Sequence, residues 1–307
     1  METVSCNLCG STRQKQLWTG RDWAYGFPGD FGMVTCEECG LIYLNPRPSP
    51  EEIGAYYPDE YEPYARTRGT RSSLSLLIQR LKLRSRVRTV TRLAAGGRLL
   101  DLGCGSGGFL REMQRLPEWQ VQGIEVSQET AAFAREQLDL DVQAGTLEDA
   151  HLPANFFDVV TMWDVLEHLA DPLGALREIH RILKPSGLLI SSSPNAASLD
   201  AKVFGRYWIG LDFPRHLYVF APSTLFDLLH KAGLQPEESF CFYGRYTTFA
   251  LSLSLWLNAR IHNRTWQRRL RSMLLFPLFR YLTLPWFLLL DLLKRGAIFT
   301  VAARKAG

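Results

Sequence analysis

The sequence lacks an apolar run long enough to cross a membrane, since a spanning helix needs about 20 such residues in succession. The two most apolar stretches, Leu274–Phe279 and Leu284–Leu290, are far shorter. Arg280 separates them, and Pro277 and Pro285 interrupt them. We therefore expect no membrane-spanning segment.

The first residues also lack an export signal, because Met1–Cys6 carry neither its basic nor its apolar region. We expect the chain on the cytoplasmic side, with its six cysteines reduced and no disulfides. The formal net charge is only +4, but arginines concentrate in Arg66–Arg92 and Arg260–Arg280. The local charge is therefore more informative than the total.

What the chain does have is apolar content. It is 307 residues long and 46% hydrophobic, which is enough to bury a sizeable core and excludes a disordered chain. We expect one large domain with additions.

Four of the six cysteines form two pairs at the spacing of a metal site: Cys6 and Cys9, and Cys36 and Cys39. A glycine follows each pair, Gly10 and Gly40, and permits the turn that brings both thiolates to one metal. Four thiolates suit tetrahedral zinc and leave no open position, so we expect a structural zinc ribbon. Free thiols are the alternative.

The segment between these pairs has few basic residues, which argues against a nucleic-acid partner. Its acidic residues are Asp22, Asp30, Glu37 and Glu38. No phosphate-binding face is evident there, and we expect no nucleic-acid binding.

The stretch Leu99–Gly108 is typical of a strand that enters a ligand-binding turn, because an apolar run stops at Asp101 and opens into Gly103-x-Gly105-x-x-Gly108. The next apolar stretch ends at Glu125, where a nucleotide fold places an acid against ribose hydroxyls. A carboxylate at the mouth of the loop is poorly suited to a pyrophosphate and well suited to a cation. A cationic nucleoside is therefore favoured, and a nicotinamide-dependent oxidoreductase is the alternative.

With these residues in place, the chain resembles the class I S-adenosylmethionine-dependent methyltransferases over roughly residues 98–240 and again at the C-terminus. Phe157–Val160 and Trp163–Leu169 carry the third part of the resemblance. The resemblance implies a Rossmann-like doubly wound sheet and S-adenosylmethionine as cofactor, with Glu125 on the ribose and Asp101 near the loop and the amino-acid end. The cofactor-binding residues that it implies are Asp101, Gly103, Cys104, Gly105, Gly107, Phe109, Glu125, Val126, Thr146, Leu147, Trp163 and Asp164. Thr146 stands where the family often has an acid for the adenine amine.

The apolar pattern predicts an α/β fold with a parallel sheet and helices on both faces. We expect strands near 98–102, 121–125, 157–162, 187–193 and 238–243, a closing strand at 297–303, and helices near 108–116, 127–137, 172–182 and 222–232. The predicted organisation is a zinc ribbon with its following segment (1–62), a linking amphipathic helix (63–95) and a methyltransferase domain (96–307). This domain would include a lid at 196–220 and a helical insertion at 244–294.

Two interpretations of the insertion stay open. Five arginines precede its apolar runs, at positions 260, 264, 268, 269 and 271, so a helix pair could lie on an anionic membrane surface on the inner face. The other interpretation is a helical cap that buries its leucines against its own domain or a second subunit. The sequence does not indicate an oligomeric state.

The candidate catalytic residues are Glu167, His168 and His216, with Asp164 beside them. Asp164, Glu167 and His168 would share one helix face at i, i+3 and i+4. This arrangement resembles the divalent-metal site of some ubiquinone-pathway and small-RNA O-methyltransferases, which would add Mg²⁺. Otherwise His216 alone would be the general base, or these residues would only cap and hydrogen bond.

These features together predict methyl transfer from S-adenosylmethionine to an acceptor, a small molecule or a lipid-linked one. A hydroxyl of a cell-envelope glycan, of a lipid-linked sugar or of a quinone-like lipid is favoured. A non-catalytic zinc-ribbon adaptor that docks at membranes is the alternative from outside enzymology.

Overall fold

The structure is a computed structural model that describes residues 1–58, 73–241, 245–261, 263, 265–267, 269 and 277–306. The helices are α1 (Ser73–Leu93), α2 (Gly108–Gln114), α3 (Gln128–Leu138), α4 (Pro172–Ile182), α5 (Leu199–Phe204), α6 (Pro222–Lys231), α7 (Arg245–Asn258) and α8 (Pro277–Leu292). The strands are β1 (Gln14–Gly20), β2 (Phe31–Cys36), β3 (Ile42–Leu44), β4 (Gly97–Leu102), β5 (Trp119–Glu125), β6 (Val142–Ala144), β7 (Phe157–Trp163), β8 (Leu183–Pro194), β9 (Tyr218–Val219), β10 (Leu234–Phe240) and β11 (Ile298–Lys305). The predicted boundary near residue 63 and the arginines Arg264, Arg268 and Arg271 lie outside the described residues.

A seven-stranded sheet forms the body, in the order β10-β11-β8-β7-β4-β5-β6. Its strands alternate between two buried layers: Leu99 and Val159 face α1, α2 and α3, whereas Leu100 and Val160 face α4 and α6. The predicted doubly wound α/β sheet with helices on both faces is therefore confirmed.

The sheet is mixed rather than wholly parallel. β11 runs antiparallel to both β8 and β10, while β6, β5, β4, β7 and β8 are parallel. The closing strand reverses because it follows β10 through the α7 and α8 insertion and returns beside it. The short strand β6 was not predicted, since its three residues show too little alternation.

Side-chain caps begin the helices beside the carboxyl edge of the sheet. Ser127 accepts the N–H of Thr130 at the start of α3, and Asp171 accepts that of Gly174 at the start of α4. Pro172 occupies the first turn of α4, where its missing N–H costs nothing. These caps hold the helix starts at the edge where an open sheet binds ligands.

A second sheet has four strands, in the order β1-β2-β3-β9. Three of its strands come from the N-terminal segment, and β9 comes from residue positions 218–219, far along the chain. Asn7 donates to the Asp171 carboxylate and accepts the N–H of Leu173, so the N-terminal segment also caps α4. The cysteine-bearing segment is therefore joined to the body by strand pairing and by hydrogen bonds.

The segment predicted as a lid, residues 196–220, packs as a connection between the two sheets. Trp208, Phe213, Arg215 and Phe220 in it are each at most 2% exposed. It ends in β9, which pairs with β3. Its role as a lid over an acceptor stays a prediction.

The insertion before the last strand contains a helix pair, as predicted. Phe287 of α8 packs edge-on against Tyr246 and Phe249 of α7, at centroid distances of 6.0 and 5.6 Å. Among the described residues, no helix combines the length and the apolarity needed to cross a membrane.

Candidate functional site

The loop after β4 forms an open cradle at the carboxyl edge of the sheet. Gly103, Gly105 and Gly107 all have positive φ, between 54° and 77°. A Cβ on Gly103 would lie 2.6 Å from Val165 Cγ2, and one on Gly107 would lie 2.4 Å from Leu140 Cδ1. A Cβ on Gly105 would meet no atom within 4 Å, so this backbone borders open space. Only glycine leaves that space free for a ligand.

Glu125 fixes the shape of this loop. Its two carboxylate oxygens accept the backbone N–H of Gly105 at 2.8 Å and of Ser127 at 3.0 Å. Burial raises the pKa of Glu125 although these N–H groups act against the shift. The residue is 5% exposed, and its position is set before any ligand arrives.

Asp101 lies under the loop, where Thr161 donates a 2.6 Å hydrogen bond to its Oδ1. Burial raises the pKa of Asp101 to about 7, against the opposing effects of Thr161 and Arg86. Glu125 adds to the rise by like-charge repulsion. Two buried carboxylates that gain from a nearby positive charge therefore border the cradle.

Several of the other predicted cofactor residues are buried. Phe109 packs edge-on against Trp163 with 5.6 Å between ring centroids, and both are buried. Cys104 and Leu147 are also buried, whereas Val126 is 60% exposed. The Trp163 indole N–H is buried and has no hydrogen-bond partner among the described residues.

Thr146 stands at the position where an acid was expected near the adenine, and it hydrogen bonds to the carboxylate of Asp149. Its backbone N–H and hydroxyl both donate to Asp149 Oδ2, at 3.0 and 2.8 Å. These bonds lower the pKa of Asp149. Asp149, three residues further along, had no motif to single it out.

Asp164 does not join the catalytic candidates, which corrects the prediction of a shared helix face. Its φ is 62°, and only a single 3₁₀ turn, Leu166–His168, follows. Its carboxylate accepts Ser192 Oγ at 3.0 Å and Arg86 at 3.1 Å. A residue with positive φ does not continue a right-handed helix, so Asp164 lies outside the turn that carries Glu167 and His168. Its carboxylate instead pairs with Arg86 of α1.

Arg86 was not predicted from the sequence. Its guanidinium lies 4.9 Å from the centroid of the Trp163 ring and pairs with Asp164, and its side chain is 11% exposed. It brings a largely buried positive charge from α1 close to Asp164 and Asp101. In the sequence it was only one of many arginines in a basic helix.

Glu167, His168 and His216 do come together, as predicted. One ligand atom from each lies within 4.8 Å of those of the other two. The imidazole rings of His168 and His216 meet edge to face at 4.6 Å. Ser193 donates to Glu167 Oε2 at 3.0 Å, while Oε1 is buried without a hydrogen-bond partner in the described part of the chain.

Hydrogen bonds fix the tautomers of both imidazoles. His216 Nδ1 lies 2.8 Å from the Gly210 carbonyl, and His168 Nδ1 lies 3.0 Å from the Arg215 carbonyl. Because a carbonyl only accepts, each Nδ1 carries the proton and each Nε2 is left basic.

Burial determines the protonation of the cluster. Burial lowers the pKa of His216, and burial together with His216 lowers that of His168 to about 3. Burial, reinforced by Asp164, raises the pKa of Glu167 well above its ordinary value. The imidazole of His216 is therefore neutral at neutral pH.

The N-terminal segment completes the surroundings of this cluster. The Tyr57 hydroxyl lies 3.0 Å from His168 Nδ1. Arg215, beside His216, donates to both oxygens of Asp22 at 2.8 and 2.9 Å and to Asp212 at 2.7 Å. The side chains of Arg215 and Asp22 are fully buried. The position of the His168 ring therefore depends on Tyr57 from the N-terminal segment and on the Arg215 backbone, which lies far along the chain.

The four predicted cysteines also converge, with all sulfurs within 4.8 Å of one another. Cys6 and Cys39 Sγ are 3.4 Å apart, and Cys9 and Cys36 Sγ are 3.5 Å apart. Tetrahedral zinc with Zn–S bonds of about 2.3 Å requires sulfurs about 3.8 Å apart. The donor set therefore fits zinc.

Two matching turns build this cysteine site. The N–H of Gly10 donates to the Cys6 carbonyl at 2.7 Å, and that of Gly40 donates to the Cys36 carbonyl at 3.0 Å. Both glycines have positive φ, as the turn requires.

Comparison with known proteins agrees with this architecture. The family described as a methyltransferase domain matches residues 75–239. The ubiquinone biosynthesis O-methyltransferase of Ruegeria pomeroyi is 40% identical over 156 residues, which cover 47% of this chain and 62% of that protein. The one from Xanthomonas axonopodis pv. citri is 35% identical, over 47% of this chain and 65% of its own. The matched region thus spans less than two thirds of these relatives, and the family match starts after the cysteine site.

Solved structures share the fold. A Thermotoga maritima protein, described as an S-adenosylmethionine-dependent methyltransferase and possible histamine N-methyltransferase, aligns with a TM-score of 0.50 at 21% identity. The alignment covers 82% of this chain and 98% of that one. An S-adenosylmethionine-dependent methyltransferase from Archaeoglobus fulgidus also gives 0.50, at 20% identity, over 78% and 97% of the two chains. These likenesses concern the fold alone and confirm the predicted class.

Proposed function

Because the chain belongs to the family of methyltransferase domains, we propose that it moves the methyl group of S-adenosylmethionine to an acceptor hydroxyl. The observation that carries this proposal is the juxtaposition of two sites at adjacent strand ends. The glycine cradle with Asp101 and Glu125 follows β4 and β5, and the neutral histidine cluster follows β7, which pairs with β4. A donor and an acceptor would meet at this edge.

The cradle has the chemistry that a cationic nucleoside needs. Gly105 borders open space. Glu125, held by the N–H of Gly105, would accept the ribose hydroxyls, and Asp101 would supply negative charge near the amino-acid end. Arg86 would face the α-carboxylate of that same end. S-adenosylmethionine, when bound, supplies an electrophilic methyl group for in-line displacement.

An oxygen acceptor must also lose a proton, and the chain offers a base for it. His216 Nε2 is the basic nitrogen of a neutral imidazole, oriented by the Gly210 carbonyl. Because burial keeps the ring unprotonated at working pH, it is ready to take a proton from a hydroxyl. Glu167, whose Oε1 is buried and unpartnered among the described residues, would accept a hydrogen bond from the acceptor or, when protonated, donate one.

The cluster does not suit Mg²⁺. Two imidazole nitrogens and one carboxylate form a donor set for zinc or iron-type metals, whereas Mg²⁺ prefers oxygen ligands. Asp164, which would have supplied another oxygen, is paired with Arg86. The acid–base work would therefore fall to His216 without Mg²⁺.

Among the expected acceptors, the relatives favour a quinone-like lipid. Proteins that are 35–40% identical across 47% of this chain are described as ubiquinone biosynthesis O-methyltransferases. A phenolic hydroxyl is acidic enough to lose its proton to a neutral imidazole. Hydroxyls of glycans and lipid-linked sugars are the other acceptor classes in this proposal.

The cysteine site would hold one structural zinc. Four thiolates close the coordination shell, so the metal would stabilise the four-stranded sheet and take no part in methyl transfer.

Labelling in cells tests the acceptor. Cells with and without the protein are grown on methionine with a deuterated methyl group, and their lipid and polar extracts are compared by mass spectrometry. We expect a trideuteromethylated lipid that only the cells with the protein contain. A label confined to protein or nucleic acid, or to none of the extracts, would contradict a hydroxylated small-molecule acceptor.

A further inference from the structure

Helix α8 presents two faces of very different environment. Phe287 and Leu290 are about 5% exposed and pack on Tyr246, Phe249 and Ala250 of α7. This packing orients the other face of α8 outward.

The outward face is a leucine surface. Leu282, Trp286, Leu289 and Leu293 follow one another at steps of four, three and four residues, and they are 46% to 70% exposed. We call these four the outer leucine face. Three more residues beside it are also exposed: Leu284, Leu288 and Leu292, the last at 81%. Contiguous apolar exposure on this scale is typical of an interaction site.

The segment that carries this face is rich in positive charge. Residues 242–295 contain eight arginines and one lysine but a single acidic residue, Asp291. The net charge of the whole chain is only +4, so the positive charge is concentrated in this segment. Among the described residues, Arg260, Arg269 and Arg295 are exposed.

Tryptophans accompany the arginines. The Arg260 guanidinium lies 3.9 Å from the centroid of the Trp256 ring, and that of Arg269 lies 5.7 Å from that of Trp266, which is 55% exposed. Tryptophan and arginine, with an apolar body and a polar end, are favoured at the boundary between lipid tails and headgroups.

We propose that the outer leucine face binds the surface of an anionic lipid bilayer, with α8 lying in the plane of the interface. At 16 residues with Pro285 inside it, α8 is too short and too interrupted to span. The leucines would enter the boundary of the acyl chains, and the arginines would contact acidic headgroups.

A second copy of the chain is less well matched to this face. A twofold interface places the same patch against itself, which would bring two copies of this arginine-rich segment together. An anionic bilayer instead compensates the charge.

This surface is one helix layer away from the histidine cluster. The N–H of Ile209 donates a 3.1 Å hydrogen bond to Ser252 Oγ of α7. The carbonyl of the next residue, Gly210, accepts the hydrogen bond from His216 Nδ1. A lipid acceptor would therefore arrive beside the proposed base. This last step rests on the proposed function, whereas bilayer binding does not.

Flotation with vesicles tests the proposal, using the full chain without donor or acceptor. The vesicles are phosphatidylcholine alone, or phosphatidylcholine mixed with phosphatidylglycerol. We expect binding to the mixed vesicles, weaker binding to the neutral ones, and a loss as salt rises from about 0.1 M to about 0.5 M. Absence of binding to the mixed vesicles would overturn the proposal.

Matched variants locate the surface. Leu289→Glu with Leu293→Glu should reduce vesicle affinity about tenfold or more, because two charges enter the face. Leu17→Glu, a control at a 38% exposed leucine of β1, should bind as the parent does. Unchanged S-adenosylmethionine affinity in both variants shows that each is folded. Equal vesicle binding by parent and double variant, or a parent dimer that the double variant converts to monomer, would assign the face to something other than lipid.

Discussion

The pair formed by Asp22 and Arg215 offers a stringent test of how the N-terminal segment supports the site. Asp22→Asn keeps the size of the side chain and removes its charge. Its two hydrogen bonds with Arg215, of 2.8 and 2.9 Å, would lose the negative charge of the acceptor. Arg215 would keep its ion pair with Asp212, whose side chain is 15% exposed. Removing one partner of a buried ion pair costs about 3–5 kcal/mol, and the remaining Asp212 places the expected loss near about 3 kcal/mol.

The assay is urea unfolding at pH 7. A loss of about 3 kcal/mol changes the unfolding constant by about 100-fold and, because m is large for a chain of this size, lowers the midpoint by up to about 1 M. Asp30→Asn is the matched control, because Asp30 pairs with Arg21 on the surface and both side chains are at least 67% exposed. It should leave the midpoint unchanged.

The pH dependence gives an independent check. Burial opposes ionisation of Asp22, but the hydrogen bonds from Arg215 and from the N–H groups of Tyr25 and Ala24 outweigh it and lower its pKa. A carboxylate with a lowered pKa in the folded state stabilises the fold above its ordinary pKa, and this contribution is lost as pH falls through the lowered value. The difference between parent and Asp22→Asn should therefore be full at neutral pH and shrink below about pH 4. Equal stability of the two proteins at pH 7 would refute the ion-pair account.

Three further perturbations test the donor cradle, the base and the zinc. Gly105→Val should lower S-adenosylmethionine affinity by at least about tenfold, because a branched side chain would fill the cradle at a positive φ. The control Gly54→Ala, at an unhindered glycine, should leave this affinity unchanged. Equal affinities of the parent and Gly105→Val in calorimetry would argue against the cradle as the binding site. His216→Asn should preserve donor binding and the hydrogen bond to Gly210 yet reduce turnover about 100-fold on the acceptor, the scale of a lost base; full turnover would exclude His216 as the base. Elemental analysis should find one zinc per chain in the parent and none in Cys36→Ser, and a fully folded parent without metal would reject the structural zinc.

The central sheet and the cysteine site were predictable because their information is local. Apolar runs that stop at Asp101 and Glu125 define strands, and the spacing of the cysteines predicts that their four thiols converge. The family resemblance added the assignment of these acids to one donor, which no short-range pattern contains.

What could not be predicted depends on long-range contacts and burial. The link between Asp22 and Arg215 joins residues 193 positions apart, and β9 pairs with a strand from the N-terminal segment. The lowered pKa of His216 follows from its surroundings, which the sequence does not show. The positive φ of Asp164 removed the predicted helix face, and a single aspartate gives no warning of that conformation.

Calorimetry with each candidate cofactor tests the central claim most directly. The purified chain is titrated with S-adenosylmethionine and, separately, with NADH, and the first titration is repeated with Glu125→Ala. We predict saturable binding of one S-adenosylmethionine per chain, no binding of NADH, and an affinity about 10- to 100-fold weaker in the variant, since charged hydrogen bonds contribute about 1.5–3 kcal/mol each. Binding of NADH without S-adenosylmethionine, or equal S-adenosylmethionine affinity in Glu125→Ala, would contradict the account.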